Sequence, residues 1–132
     1  MYRFGKRSKT EMATIEEDLQ KILNRAIKVV DFSVLEGYRN KEKQDDHFAK
    51  GKSKLKFPEG KHNCFPSEAV DIAPSPYPKT DAGIKQAYFL AGIVKGIAVE
   101  MGIDIIIGCD WNNDGDIRND NFQDVWHIEL IE

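Results

Sequence analysis

The six residues 68–73, reading EAVDIA, constrain the fold more than any other stretch of the chain. Ala69, Val70, Ile72 and Ala73 give it the apolar character of a buried strand, yet Asp71 stands at its centre. A carboxylate is taken out of water only where a partner compensates its lost hydration. Side chains alternate along a strand, so Asp71 shares a face with Ala69 and Ala73, whose small side chains leave room for an ion or a polar partner. The rest of the chain must bring that partner to this face.

At 132 residues, with 41% apolar and 31% charged residues, the chain is long enough for one domain with one core. Residues 11–30 place Met12, Ile15, Leu19, Ile22, Leu23, Ala26, Ile27 and Val30 three and four apart, which predicts one amphipathic helix with an acidic first turn. FSVLEGY (32–38) reads as a strand, NKEKQDDHFAKG (40–51) as a polar helix closed by Gly51, and 52–63 as a basic loop. After the strand at 68–73, PSPYPKTD cannot continue a ladder. Asp81 is expected to cap a second long helix over 82–101, with Ile84, Ala87, Tyr88, Ala91, Val94, Lys95 and Ala98 along one stripe. IDIIIG (103–108) is fully apolar and is expected at the centre of a sheet, and VWHIELI (125–131) forms a last strand. The sum is an α+β fold: a single compact domain over 1–132, two long helices packed on a small, mainly antiparallel sheet.

Charge and composition narrow the function. Residues 1–61 hold 15 Lys and Arg against 10 Asp and Glu, whereas residues 62–132 hold 4 against 12. No basic stripe interleaved with aromatics accompanies the basic half, so no nucleic-acid partner is expected. No apolar run approaches the length that crosses a bilayer, so membrane insertion is not expected. The first 17 residues lack the apolar core of a secretory signal, which predicts cytoplasmic synthesis. Cys64 and Cys109 are then expected as free thiols.

His62, Asp71 and His127 are the strongest constellation. Two imidazoles and one carboxylate suit zinc and leave a fourth position for water, the pattern of a catalytic site. On VWHIELI, His127 and Glu129 share one face while Trp126, Ile128 and Leu130 take the other. Singly, each residue reads as readily as structural: Asp71 in a buried hydrogen bond, His127 as a core histidine. Cys64 and Cys109 with His62 and His127 would make a structural Cys2His2 zinc site, an alternative that leaves Asp71 unexplained. His47 reads as a solvated helix residue, and Trp111 and Trp126 as core or pocket-wall residues.

The order HNCFPSEAVD, followed by DVWHIEL near the C-terminus, resembles the VanY-like zinc peptidases of peptidoglycan. These are the D-alanyl-D-alanine carboxypeptidases and the L-alanyl-D-glutamate endopeptidases of phage endolysins, with their hedgehog/DD-peptidase-like fold. FGKRSKTEMATIEEDLQKILNRAI, FSVLEGYRN and GCDWNNDGD are similar to the endolysin opening, first strand and pre-strand loop. The chain departs from the family pattern at Gly60, where the family has Ser, at Ser67, where it has Gly, and by two extra residues between His62 and Asp71, placed at 64–66. The resemblance implies zinc on His62, Asp71 and His127, Asp124 as the catalytic carboxylate, and Arg39 at the substrate carbonyl. Glu129 reads equally as a hydrogen-bond acceptor behind the metal ligands and as a plain surface glutamate. It also implies a monomer acting on the peptidoglycan stem peptide, made in the host cytoplasm and released through a membrane pore formed by another protein. The alternatives are a D-alanyl-D-alanine carboxypeptidase of the same family and a non-catalytic, calcium-stabilised wall-binding module.

A second cation is suggested by DWNNDGDIRNDN (110–121). Asp110, Asn112, Asp114, Gly115 and Asp116 hold the first, third, fifth, sixth and seventh positions of an EF-hand-like calcium loop. The twelfth position is Asn121 in place of the bidentate Glu. An ordinary Asp- and Asn-rich turn has the same composition. The loop ends just before Asp124, so calcium there would order the catalytic carboxylate.

Overall fold

The apolar stripe expected over 11–30 is buried, but it belongs to two helices rather than one. In the computed structural model, which describes residues 1–76 and 80–131, α1 spans Lys6–Met12 and α2 spans Glu17–Ala26. Ile15 leaves the helical path between them and pairs with Ser67 in an isolated parallel bridge. The Gln20 side chain donates to the carbonyls of Met12 (2.9 Å) and Ile15 (3.1 Å), which the break would otherwise leave unpaired. Met12, Ile15, Leu19, Ile22, Leu23, Ala26, Ile27 and Val30 are all buried, so periodicity reported burial correctly and continuity wrongly.

β1 covers Phe32–Glu36, α3 covers Lys41–Ala49 and β2 covers Ala69–Pro74. α4 runs Asp81–Met101, β3 Ile105–Ile107 and β4 His127–Leu130. Thr80, rather than Asp81, caps α4, its side chain accepting from the Gly83 amide. Gly102 ends that helix at φ +72°, a conformation that favours glycine. α4 is thus the single long helix among the described residues. It is long and apolar enough to cross a bilayer by length and composition, although Lys85, Lys95 and Glu100 interrupt its apolar residues. In this fold its inner stripe of Ala87, Leu90, Ala91, Val94 and Ala98 is core. Of the Pro-rich connection before it, residues 77–79 lie outside the described residues.

The four strands form one antiparallel sheet in the order β1-β2-β4-β3. β3 is therefore an edge strand and not the central one its apolar sequence predicts. α4 compensates: Ile105 is fully buried, and Lys95 Nζ donates to the Ile105 carbonyl at 2.9 Å. One face of the sheet carries Val34, Val70, Ile72 and Ile128 into the core with α2 and α4. The other face carries Asp71, His127 and Glu129, as strand parity requires.

Gly108, just after β3, is where the last loop folds back onto the sheet. Its carbonyl accepts from the Asp124 amide at 2.8 Å, and its amide donates to the His127 carbonyl at 2.7 Å. A Cβ built there would lie 1.8 Å from the Asp124 carbonyl oxygen, which is backbone and cannot swing aside. Gly108→Ala should therefore destabilise the protein by about 2–4 kcal/mol in urea unfolding. A loss within error would mean the loop accommodates the methyl group.

Candidate metal centre and active-site groove

Asp71 lies directly opposite His127 in the β2–β4 ladder, and Glu129 lies opposite Ala69. The cross-strand register thus delivers the partner that a mid-strand carboxylate needs. His62 arrives separately, on a 3-10 turn at Lys61–Asn63. Two hydrogen bonds dock that turn on the β1–α3 connection, from the Arg39 amide to the His62 carbonyl (2.7 Å) and from Asn63 Nδ2 to the Arg39 carbonyl (3.0 Å). Residues 64–66 sit in the turn before β2. Ser67 is fully buried and donates to the Ala69 carbonyl at 2.7 Å, bracing that turn.

The three side chains converge. Asp71 Oδ1 lies 3.3 Å from His62 Nε2 and 3.3 Å from His127 Nδ1, and the ligating atoms of all three fall within 4.8 Å of one another. His62 Nδ1 is 2.7 Å from the Gly37 carbonyl, which can only accept, so Nδ1 carries the proton and Nε2 keeps its lone pair. That Nε2 is buried and has no hydrogen-bond partner. His127 Nε2 lies 2.8 Å from Glu129 Oε1, so in neutral His127 the Nδ1 lone pair also faces Asp71. Two lone pairs and a carboxylate aimed at one point, one of them orphaned, fit a divalent metal.

Without a metal, a proton does part of this work. Burial alone would lower His127, but hydrogen bonds and attraction from Asp71 and Glu129 prevail and push it up to about 9. Burial pushes the Asp71 carboxyl up, yet the facing imidazoles of His127 and His62 outweigh it and hold it well below the usual carboxylate range. Glu129 is likewise lowered: burial opposes, and His127 and Lys61 prevail.

Asp124 sits in the loop before β4, where strand parity does not bind it, and its carbonyl accepts from the His127 amide at 3.0 Å. It lines the same groove as the metal-binding group. Burial, and then the negative charge of Asp71, raise its carboxyl above the ordinary value against the opposing pull of His127 and His62. Such a shift favours proton uptake. Arg39 is buried at 8% exposure. Glu36 holds its Nε (2.7 Å) and Nη2 (2.5 Å), Gln44 Oε1 accepts from Nη1 (3.1 Å), and Asp71 Oδ2 is 3.7 Å from Nη2. A bulge between Val34 and Glu36 turns Glu36 to face Asp71.

The groove has a volume of about 590 Å³. Trp111 stacks on His127 (5.4 Å between centroids) and Phe122 on Trp111 (5.9 Å), forming one wall. Trp111 is thus the pocket-wall residue expected of it. His47, half-buried on α3, also lines the groove. Gln44 was not legible in the sequence, where it is one polar residue on a polar helix. It is 1% exposed and ties Arg39 and Asn63 to the segment after α3 through the Leu55 carbonyl (2.7 Å) and Ser53 Oγ (3.0 Å).

Cys64 and Cys109 are both free thiols. Among the described residues neither joins a grouping of metal ligands, so the Cys2His2 alternative is not assembled. Nor do Asp110, Asp114 and Asp116 form such a grouping. Their carboxylates accept backbone amides: Asp110 from Gly115 (2.9 Å), Asp114 from Asp116 (2.8 Å) and Asp116 from Arg118 (2.9 Å). Asn112 accepts from Asp114 (3.3 Å), and Gly115 adopts φ +82°.

Comparison with known proteins shows the family and the fold. The family profile described as phage L-alanyl-D-glutamate peptidase matches residues 1–131. The L-alanyl-D-glutamate peptidase of Escherichia phage T5 is 31% identical over 136 residues, covering 98% of both chains. The fold is similar to the crystal structure of the Serratia marcescens L-Ala D-Glu endopeptidase ChiX, with a TM-score of 0.72 and 24% identity over 98% of this chain and 91% of that one. With a match along nearly its whole length, the chain belongs to the phage L-alanyl-D-glutamate peptidase family.

Proposed function

We propose that the protein is a zinc-dependent peptidoglycan endopeptidase that hydrolyses the L-alanyl-D-glutamate bond of the stem peptide. The observation that carries this reading is the buried, unpartnered Nε2 of His62 aimed at Asp71 and His127 beside the Asp124 carboxylate. His62, Asp71 and His127 would hold the zinc, with Glu129 fixing the His127 ring from behind. When bound there, zinc supplies Lewis acidity and lowers the pKa of water to roughly 7.

The chain's own residues supply the rest. Asp124 accepts the proton of the attacking water and returns it to the leaving amine, a role served by its raised pKa. Arg39 is preorganised by Glu36 and Gln44, so it can donate to the substrate carbonyl oxygen as negative charge develops. A single donor of this kind is typically worth about 3 kcal/mol in the transition state. Trp111 and Phe122 restrict solvent on one side of the groove. The family's phage association supports synthesis in the host cytoplasm and action on the wall after another protein opens the membrane. The D-alanyl-D-alanine carboxypeptidase alternative is set aside on the family match, and a purely wall-binding module leaves the converging ligands without a role.

A second reading concerns calcium on the loop containing Asp110, Asn112, Asp114 and Asp116. It is favoured by Asp120, whose Oδ2 is buried without a hydrogen-bond partner. Burial, and then repulsion from Asp110 and Asp114, raise the Asp120 carboxyl. Asp120 would stand in for the acidic residue missing at Asn121.

Digestion of purified peptidoglycan by the zinc-loaded protein should expose new D-glutamyl N-termini by mass spectrometry. Asp124→Ala should reduce that cleavage by about a thousandfold or more while zinc content stays stoichiometric. Retention of a tenth of the activity would remove Asp124 from the mechanism.

The metal-free protein should show a defined pH response. Because the folded-state pKa of His127 lies above its ordinary value, its proton stabilises the metal-free fold below about pH 6.5, and that contribution is lost as pH rises through about 9. Zinc must displace the same proton, so its apparent affinity should rise by about tenfold per pH unit between about pH 6 and pH 8. Calorimetry in buffers of different ionisation heat would read the released proton, and a flat profile would remove His127 from the ligand set.

Calcium titrated into the zinc-loaded protein should bind at or below about millimolar concentration. Absence of binding there would dismiss the second cation, and binding unchanged in Asp120→Asn would remove Asp120 from its ligands.

A further inference from the structure

The groove carries more positive charge than the metal centre and its supports use. Arg39, Lys52, Lys54 and Lys61 all line it. Arg39 is held by Glu36 and Gln44. Lys61 Nζ pairs with Glu129 Oε2 at 3.2 Å and donates to the Leu130 carbonyl. Lys52 and Lys54 differ: among the described residues, neither has a carboxylate within ion-pair distance.

These two lysines do not stand on a loose segment. The amides of Lys52 and Ser53 donate to the His47 carbonyl (2.8 and 3.2 Å), and Gln44 holds the Leu55 carbonyl and the Ser53 hydroxyl. Lys54 Nζ lies 5.8 Å over the Phe122 ring, the outer end of the stack that begins at His127. That contact sets the amine where the segment after α3 meets the loop before β4. The positive field on this side is also felt by His47, whose pKa is lowered by burial and then by Arg39 and, to a lesser extent, Lys52.

An unpaired cation pair in a groove also lined by Asp71, Asp124 and Glu129 matters for what can enter. A negatively charged substrate group meets repulsion from those carboxylates unless cations compensate it. A glutamyl residue that gives its nitrogen to the scissile bond retains two carboxyl groups. One continues the stem peptide, and the other is free as a carboxylate or masked as a neutral carboxamide.

We propose that Lys52 and Lys54 form an anion subsite for the free carboxylate of the glutamyl residue on the leaving side of the scissile bond. They thereby set a preference for glutamate over its amide. This rests on the peptidase reading above and assigns the specificity of that same groove. Lysine suits the task, since a flexible point charge follows a carboxylate whose position shifts as the leaving group departs.

The test uses the zinc-loaded protein and two synthetic stem peptides that differ only in D-glutamate against D-isoglutamine. The wild type should favour the carboxylate peptide in kcat/KM by about tenfold, and raised salt should shrink that ratio. In the double variant Lys52→Met with Lys54→Met the ratio should fall close to one, through KM rather than kcat. Lys54→Arg, which keeps the charge, should retain most of the preference. Circular dichroism and zinc content of each variant report whether fold and metal survive. A double variant that keeps the wild-type ratio, or loses the same factor on both peptides, overturns the subsite. A wild type that cuts both peptides equally also rejects it while leaving the peptidase reading intact. A wild type that cuts neither removes both.

Discussion

The structure depends on one oxygen atom being shared. Asp71 Oδ1 lies 3.3 Å from imidazole nitrogens of both His62 and His127, and this joins the two halves of the site across more than sixty residues of chain. The pairing of Asp71 with His127 is a matter of sheet register. A slip of one residue would turn Asp71 into the core and Val70 or Ile72 into the groove. The apolar face of the same two strands prevents that slip, since Val70 and Ile128 are fully buried beneath α2 and α4. Core packing therefore fixes the site's geometry without contributing a single reactive group to it.

Around that shared oxygen lies a layer of residues whose work is positional. Glu36, turned by a bulge, grips Arg39. Gln44 links Arg39 to the turn of His62 and to the segment that carries Lys52 and Lys54. Glu129 fixes His127 and is itself paired to Lys61. Because each of these groups is satisfied by its neighbours, the reactive atoms have little freedom left, which is the condition for electrostatic catalysis at low reorganisation cost. Gly108 serves the same end by absence: only a residue without a side chain lets the Asp124 backbone come so close.

The uneven charge of the two halves acquires a meaning in this arrangement. Lys52, Lys54 and Lys61 come from the basic first half, and Asp71, Asp124 and Glu129 from the acidic second half. The groove is where they meet. A groove lined by both acids and amines can distinguish parts of a peptide by charge as well as by shape.

Local period and motif order already carry part of this architecture. Alternation in VWHIELI put His127 and Glu129 on one face and Ile128 on the other, and the lone charge in EAVDIA announced that Asp71 needed a partner. The family resemblance rested on the order of a few polar residues. Other features arise only between distant segments once the chain has folded. The helix over 11–30 breaks because Ile15 pairs with Ser67, which no periodicity within the helix can register. β3 lies at the edge of the sheet because α4 shields it, although its composition reads as central. Gln44 and Glu36 look like surface residues until the fold encloses them. Local pattern encodes which side chains are buried, whereas pairing partners are chosen by long-range packing, and that choice exists only once the chain has closed.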